Sequence, residues 1–179
     1  RRGLELCASC EPLKWLRVDA NITLSSNKIR DYKEYVQNVD TYDNWTMTGR
    51  TTMYEYGNST MLMSPSVTGM MKLTFIPWKK AAVSIDGKYV GMQYLDNTMT
   101  LSRSIPSYFV SNLSVSHTFD LNRGSLGLAL YVNNIFNNMY YADGWCWKNI
   151  IEEDGALVDG IGIYPQAPVN YMLKASYRF

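Results

Sequence analysis

The sequence predicts an all-β fold: an antiparallel up-and-down transmembrane β-barrel segment of about seven strands, cut from a larger barrel. Three observations lead there. Charged residues are 18% of the 179, and aromatics are 13%, with 14 Tyr among them; an ordinary soluble domain carries roughly a quarter charged residues. Apolar and polar residues alternate with period two along much of the chain, and no helical period is sustained. Connections between the alternating segments run short, long, short, medium, short, long, as in a barrel with tight turns at one rim and long loops at the other.

The length suits one domain or one piece of a larger one. A net charge of +1 gives no electrostatic case for nucleic acid as a partner. Mean hydropathy is −0.22, and no apolar run approaches the roughly 18 residues of a membrane-spanning helix. The chain is also too apolar and too nearly neutral to be disordered. It opens Arg1-Arg2-Gly3, without Met or an apolar signal segment, and ends on Phe179. The start therefore reads as cut and the end as natural.

The first strand is expected over Leu4 to Cys10, and Pro12-Leu13-Lys14 makes a short turn. The second, Leu16 to Ser26, alternates most cleanly: Leu16, Val18, Ala20, Ile22 and Leu24 oppose Arg17, Asp19, Asn21, Thr23 and Ser25. A polar stretch, 28–63, reads as a long loop. The third strand spans about Ser66 to Ile76, with Pro77-Trp78-Lys79-Lys80 as the next turn, and the fourth runs about Ala81 to Tyr94. A medium loop precedes the fifth strand, where Phe109, Leu113, Val115 and Phe119 oppose Asn112, Ser114, Ser116 and Thr118. Asp120 to Gly124 is a turn with Asn and Gly at turn positions. The sixth strand is Leu126 to Asn133. A second long loop covers 134–168, and the seventh strand is Val169 to Phe179.

Two features favour a membrane wall over a soluble barrel. The polar face carries Arg17, Asp19, Lys72, Asp86, Lys88, Lys174 and Arg178, which suits a wet or plugged lumen. The apolar face has aromatics near strand ends, as lipid-facing girdles do. Bacterial single-chain barrels have an even strand number and both termini at the periplasmic rim. Seven strands counted back from a periplasmic Phe179 begin at the opposite rim, so residues 1–179 are expected to be the C-terminal part of a larger barrel.

Several segments resemble TonB-dependent outer-membrane receptors. Pro12-Leu13-Lys14-Trp15-Leu16, then Asn21-Ile22-Thr23 and Asn27-Lys28-Ile29, looks like a periplasmic turn and strand of that family, as does Ser64-Pro65-Ser66. Lys88 through Thr98 (KYVGMQYLDNT) is similar to the late barrel of receptors of Bacteroidetes type. Leu128 through Asn137, with Asn133-Asn134-Ile135-Phe136-Asn137 and then Tyr140-Tyr141, resembles their penultimate strand, and Tyr177-Arg178-Phe179 completes the likeness. The resemblance implies a 22-stranded barrel around an N-terminal plug, with TonB engaging the plug and driving active import of a scarce nutrient across the outer membrane of a Gram-negative bacterium. The cargo would be of siderophore-iron, haem, cobalamin or glycan class. Outer-membrane lipid and the barrel-assembly machinery are the other implied partners. Tyr177 and Phe179 resemble the terminal assembly signal, with Lys174 standing where that signal usually has a small residue.

Individual residues narrow the chemistry. Cys7 and Cys10 have C-x-x-C spacing, but residues three apart on a strand face opposite ways, so their sulfurs cannot converge on one ion. Cys146 reads as a free loop thiol. His117, the one His, has no ligand partners nearby in sequence and falls on the outward face near the periplasmic rim. Glu152-Glu153-Asp154 and Asp159 lack the spacing of a calcium loop and read as a solvated turn. No phosphate loop, nucleophile elbow or catalytic carboxylate pair is present, so no enzyme activity, cofactor or metal is expected. Aromatics in external loops are the candidate cargo contacts: Trp45, Tyr54, Tyr56, Tyr140, Tyr141, Trp145 and Trp147. Loop-to-loop packing is their simpler role. The competing readings are a passive porin or small complete barrel, which needs an even strand count, and a soluble lipocalin-like module, which needs the polar faces outside.

Overall fold

A computed structural model describes residues 1–179. Eleven strands of nine or more residues follow in chain order: β1 (Arg2–Leu13), β2 (Leu16–Ser26), β3 (Tyr32–Asp40), β4 (Thr46–Tyr56), β5 (Val67–Phe75), β6 (Ala81–Val90), β7 (Tyr108–Leu121), β8 (Gly124–Asn133), β9 (Tyr141–Ile151), β10 (Leu157–Pro165) and β11 (Asn170–Arg178). Seven form one antiparallel wall in the order β1-β2-β5-β6-β7-β8-β11. These are the seven strands the alternation predicts. β1 pairs only with β2, and β11 only with β8, so the wall is an open sheet with a free edge on each side.

The register carries one face across all seven strands. Leu6 pairs with Ile22, Ile22 with Gly69, Gly69 with Tyr89, and Tyr89 with Phe109. Val115 pairs with Leu130 and Leu130 with Leu173. Every member lies on the apolar side, and many are open: Leu4, Leu6, Met71, Leu128, Leu130 and Leu173 are all exposed. A water-soluble fold does not present so wide an apolar surface; a lipid-facing wall must. The opposite face carries Asp19, Lys72, Asp86 and Lys174. Asp19 pairs with Lys72, and Lys72 with Asp86.

Aromatics ring the short-turn rim. Trp15 stacks on Phe75 at 6.1 Å, Trp78 meets His117 at 6.1 Å, His117 meets Phe119 at 4.4 Å, and Tyr177 meets Phe179 at 5.4 Å. His117 thus sits in the outward aromatic girdle, as its parity predicts. Cys7 and Cys10 take opposite faces, paired with Asn21 and Val18.

Three expectations need correction. The first strand is longer than Leu4–Cys10 and reaches Leu13 through a register shift. The fourth strand stops at Val90 rather than Tyr94. There the Gly91 N–H bonds the Val67 carbonyl at 2.8 Å, and a Cβ on Gly91 would crowd that oxygen at 3.1 Å. The chain leaves the wall, and Gln93-Tyr94 pairs with Ser104-Ile105. Third, the stretches 28–63 and 134–168 are not bare loops. Each folds as a hairpin, β3–β4 and β9–β10, and the hairpins join through parallel pairing of Ile150 with Asn38 and Ile151 with Val39. The result is a four-stranded sheet, β10-β9-β3-β4, beyond the long-loop rim. Val36, Val39 and Ile150 are buried at its centre, and Leu95 and Ile105 beneath it.

Candidate functional site

The site is the external assembly of the two hairpins and segment 91–107, together with the inward rim below it. Its organiser is Asp96. One carboxylate oxygen accepts from the Thr98 N–H at 3.0 Å and the Thr98 hydroxyl at 2.7 Å, an Asx-type turn that fixes the side chain. The other accepts from Arg103 Nε at 2.7 Å and Lys148 Nζ at 2.8 Å. Arg103, 4% exposed at the end of a 3-10 turn, also donates to Thr98 and Thr100 at 2.9 Å each and forms an ion pair with Asp159 on β10. Lys148 on β9 reaches Glu34 on β3 at 2.7 Å. Five charged residues from 34 to 159 are thereby closed into one network joining all three external segments.

The electrostatics favour the charged forms. Burial works to raise the Asp96 carboxyl, but bonds from Lys148, Thr98 and Arg103 outweigh it and hold the group at about 2. Burial works against charge on Lys148, and the bonds to Asp96 and Glu34 still raise its pKa. Burial, with Asp96 nearby, pushes the Cys146 thiol up, so it is no activated nucleophile. The network ties the three external segments together, and within it Glu34 Oε2 is buried without a hydrogen-bond partner.

The sequence-derived aromatics divide among distinct places. Tyr54 lies opposite Glu34 on the inner face, and Tyr56 stacks on Tyr32 at 5.8 Å. Burial, then the Glu34 charge, raises both the Tyr32 and Tyr56 hydroxyls. Trp145 and Trp147 take the face of β9 opposite Lys148, each indole lying over a glycine of β10, Gly162 and Gly160 respectively. They are half-exposed. Trp45 sits at the exposed tip of the β3–β4 hairpin with φ 61°. Tyr141 opens β9 opposite Pro165.

Tyr140 packs on Tyr108 at 4.7 Å. Both line a cavity of about 320 Å³ with Lys88, Asn112, Asn133 and Asn170, which are inward-facing at the long-loop ends of their strands. Asn112 donates to Asp86 and Asn133 to Asn170, each at 2.8 Å, while Lys88 makes no ion pair. Sequence reasoning missed Lys88 as a site residue, though its inward parity at the strand end marks it. It also missed Asp96, Arg103 and Lys148; of that set, only Asp96-Asn97-Thr98 has a local signature.

The carboxylates of the acidic turn are engaged by the protein itself. Glu152 accepts from Asn38 at 2.8 Å and from Arg50, and Glu153 from the Thr41 N–H at 2.8 Å. They fasten the two hairpins instead of standing solvated.

Fold and faces define the chain as a wall segment of an up-and-down barrel, apolar outside and polar inside, capped by external hairpins. Solved structures of that architecture are similar to it. The siderophore receptor PiuA of Acinetobacter baumannii matches with a TM-score of 0.67 at 16% identity, over 97% of this chain and 21% of that one. A mutant of the ferric enterobactin receptor PfeA of Pseudomonas aeruginosa matches at 0.56 and 14%, over 97% and 21%. The ferric citrate transporter FecA matches at 0.54 and 17%, over 98% and 31%. At these identities the likeness is one of fold. The chain spans about a fifth to a third of the length of these structures. No family model and no curated protein matches it.

Proposed function

We propose that residues 1–179 form the C-terminal part of the barrel wall of a TonB-dependent outer-membrane receptor of Bacteroidetes type. The complete receptor imports a scarce nutrient, energised by TonB acting on a plug that precedes this segment. The chain contributes transport architecture and no catalysis. The carrying observation is the open wall: backbone edges cannot stand unpaired in lipid, and β1 and β11 each lack a second neighbour. Further strands on both sides would satisfy them, which also weighs against a small complete barrel.

Cargo is of siderophore-iron, haem, cobalamin or glycan class. The first is favoured by what PiuA and PfeA are said to receive. Contacts are assigned to the rim cavity through Lys88 and Tyr140 and to the hairpin aromatics Trp45, Tyr54, Tyr56, Tyr141, Trp145 and Trp147. Tyr177 and Phe179 serve the barrel-assembly machinery.

The test is an immunoblot of outer-membrane fractions with an antibody to residues 134–168. A band several times heavier than 20.5 kDa is expected, its abundance rising when iron, cobalamin or glycan is withheld. A band at 20.5 kDa in that fraction would overturn the receptor assignment in favour of a small barrel. A signal confined to soluble fractions would overturn the membrane assignment itself.

A further inference from the structure

Lys148 on β9 holds two carboxylates at once, Asp96 at 2.8 Å and Glu34 on β3 at 2.7 Å. The two are unequally provided for. Asp96 fills both oxygens with four donors from Thr98, Arg103 and Lys148. Glu34 has Lys148 on Oε1, the Tyr32 hydroxyl on the same oxygen at a long 3.4 Å, and nothing on Oε2, although that oxygen is shut away from solvent. A buried charged oxygen without a donor is costly, and hydrogen bonds to the charged form are what keep such a carboxylate ionised.

Charge balance points to the same atom. The network sets three carboxylates, Glu34, Asp96 and Asp159, against two cations, Arg103 and Lys148. Asp159 is partly exposed and has Arg103 to itself on one nitrogen, so the uncompensated charge falls at Glu34. One proton neutralises the network, and Glu34 Oε2 is the oxygen left open for it. The groups around Glu34 do not compete for that proton. Tyr54 lies opposite it on β4, with Tyr32 and Tyr56 one pair along, and Cys146 neighbours Lys148 on β9. Phenols and thiols bear no charge in acid, and burial pushes Tyr32, Tyr56 and Cys146 further from ionising. Asp96 is held at about 2, and the bonds to Asp96 keep Arg103 and Lys148 charged.

We propose that Glu34 is a proton-operated catch at the base of the β3–β4 hairpin: ionised, it clasps Lys148 and ties β3 to β9 and to segment 91–107; protonated, it leaves Lys148 to Asp96 alone. β3 begins at Tyr32, a few residues past the end of β2, so the part set free is the root of the hairpin beside the long-loop rim. The tip stays joined through the parallel pairing of Ile150 with Asn38 and through Glu152 and Glu153. Acid therefore loosens the cap at its root without detaching it, and neutral pH resets it. The catch rests on the geometry of the cap and not on the receptor assignment.

The experiment follows amide exchange of the full-length protein in detergent micelles, corrected for the intrinsic rate at each pH. The series runs from about pH 7.5 down to about pH 3, where Asp96 is still ionised. Protection at residues 32–36 should fall by about tenfold, the scale of one lost bond to a charged group, and recover on return to neutral pH. Wall strands β7 and β8 should not change. Glu34→Gln keeps the shape without the charge, and should show the low protection at every pH with no step. Glu55→Gln is the control: it removes a carboxylate paired with Lys33 on the opposite face of the same hairpin and should keep the step. A wild type equally protected down to about pH 3 would overturn the proposal. So would a step that survives in Glu34→Gln, a step lost equally in Glu55→Gln, or Glu34→Gln protected as well as wild type at neutral pH. Exchange within the cap is read independently of cellular location, so a failed receptor assignment, shown by fractionation, is distinguishable from a failed catch.

Discussion

Asp96 shows how one carboxylate can hold an extramembrane assembly together. It is 8% exposed and receives four hydrogen bonds. Losing a hydrogen bond to a charged group costs roughly 1.5–3 kcal/mol. Asp96→Asn would take one carboxylate from Arg103 and Lys148, which keep Asp159 and Glu34, so amide exchange in β3 and β9 should accelerate by about tenfold or more while wall strands β7 and β8 stay protected; unchanged exchange would show that packing of Val36, Val39 and Ile150 suffices. The pH dependence follows from the same group. Its folded pKa, about 2, lies below the ordinary 3.8. Its stabilisation is therefore full above about pH 4 and disappears as pH falls through 2. The difference is about 2 kcal/mol in magnitude. Lys148 has a folded pKa above its ordinary 10.5, so its contribution is full below that value and fades as pH rises through the raised one. Limited proteolysis of the hairpins should thus show resistance across pH 4 to 10 and cleavage outside it.

At the scale of elements, the wall strands are legible because each keeps one apolar and one polar face. Leu16 through Leu24 alternate with Arg17 through Ser25, the pattern of a barrel wall that has lipid on one side and a wet lumen on the other. Strands β3 and β4 separate no such phases. Tyr32–Asp40 reads Tyr-Lys-Glu-Tyr-Val-Gln-Asn-Val-Asp, polar on both faces, and so passes for loop. The parallel contact of Ile150 with Asn38 joins residues 112 apart, which no local pattern announces. Turns are the opposite case, and Gly124 is an example. Its φ is +134°, and a Cβ there would strike the carbonyl of Arg178 on β11. The Tyr177 hydroxyl, meanwhile, donates to the Arg123 carbonyl at 2.5 Å across the same turn. Gly124→Ala should therefore cost about 1–3 kcal/mol and loosen the β8–β11 join at its short-turn end. Heat-modified gel mobility checks it: the variant should unfold at lower temperature than wild type, and an unchanged transition would mean that the turn relaxes freely.

For the molecule as a whole, the main property is that one face of seven strands is apolar, with the register shifting only between Cys10 and Leu13 of β1, while only 17 of 179 residues are buried. Nothing in such a sheet resembles the closed core of a soluble domain. The candidate site shows the complementary limit of the sequence: the aromatics that it offered are scattered over hairpin tips, glycine-backed faces and the inner sheet, because hydrophobicity marks what must pack somewhere without saying against what. The wall makes a sharper claim, since adjacent residues on one strand should meet opposite solvents. Val115 points outward in the row with Val83 and Leu130, whereas Ser114 points inward between Ser84 and Tyr131. A charge on the lipid face near the midplane of a barrel costs roughly 2–4 kcal/mol, and one in a wet lumen costs little. Val115→Arg should accordingly lower folding stability in phospholipid vesicles by about that amount, read from the urea midpoint of tryptophan fluorescence, while Ser114→Arg should stay within about 0.5 kcal/mol of wild type. Reversed effects would mean that the apolar face is the lumen side, as in a soluble lipocalin-like barrel. Equal effects would mean that neither face meets lipid, and would remove the membrane reading.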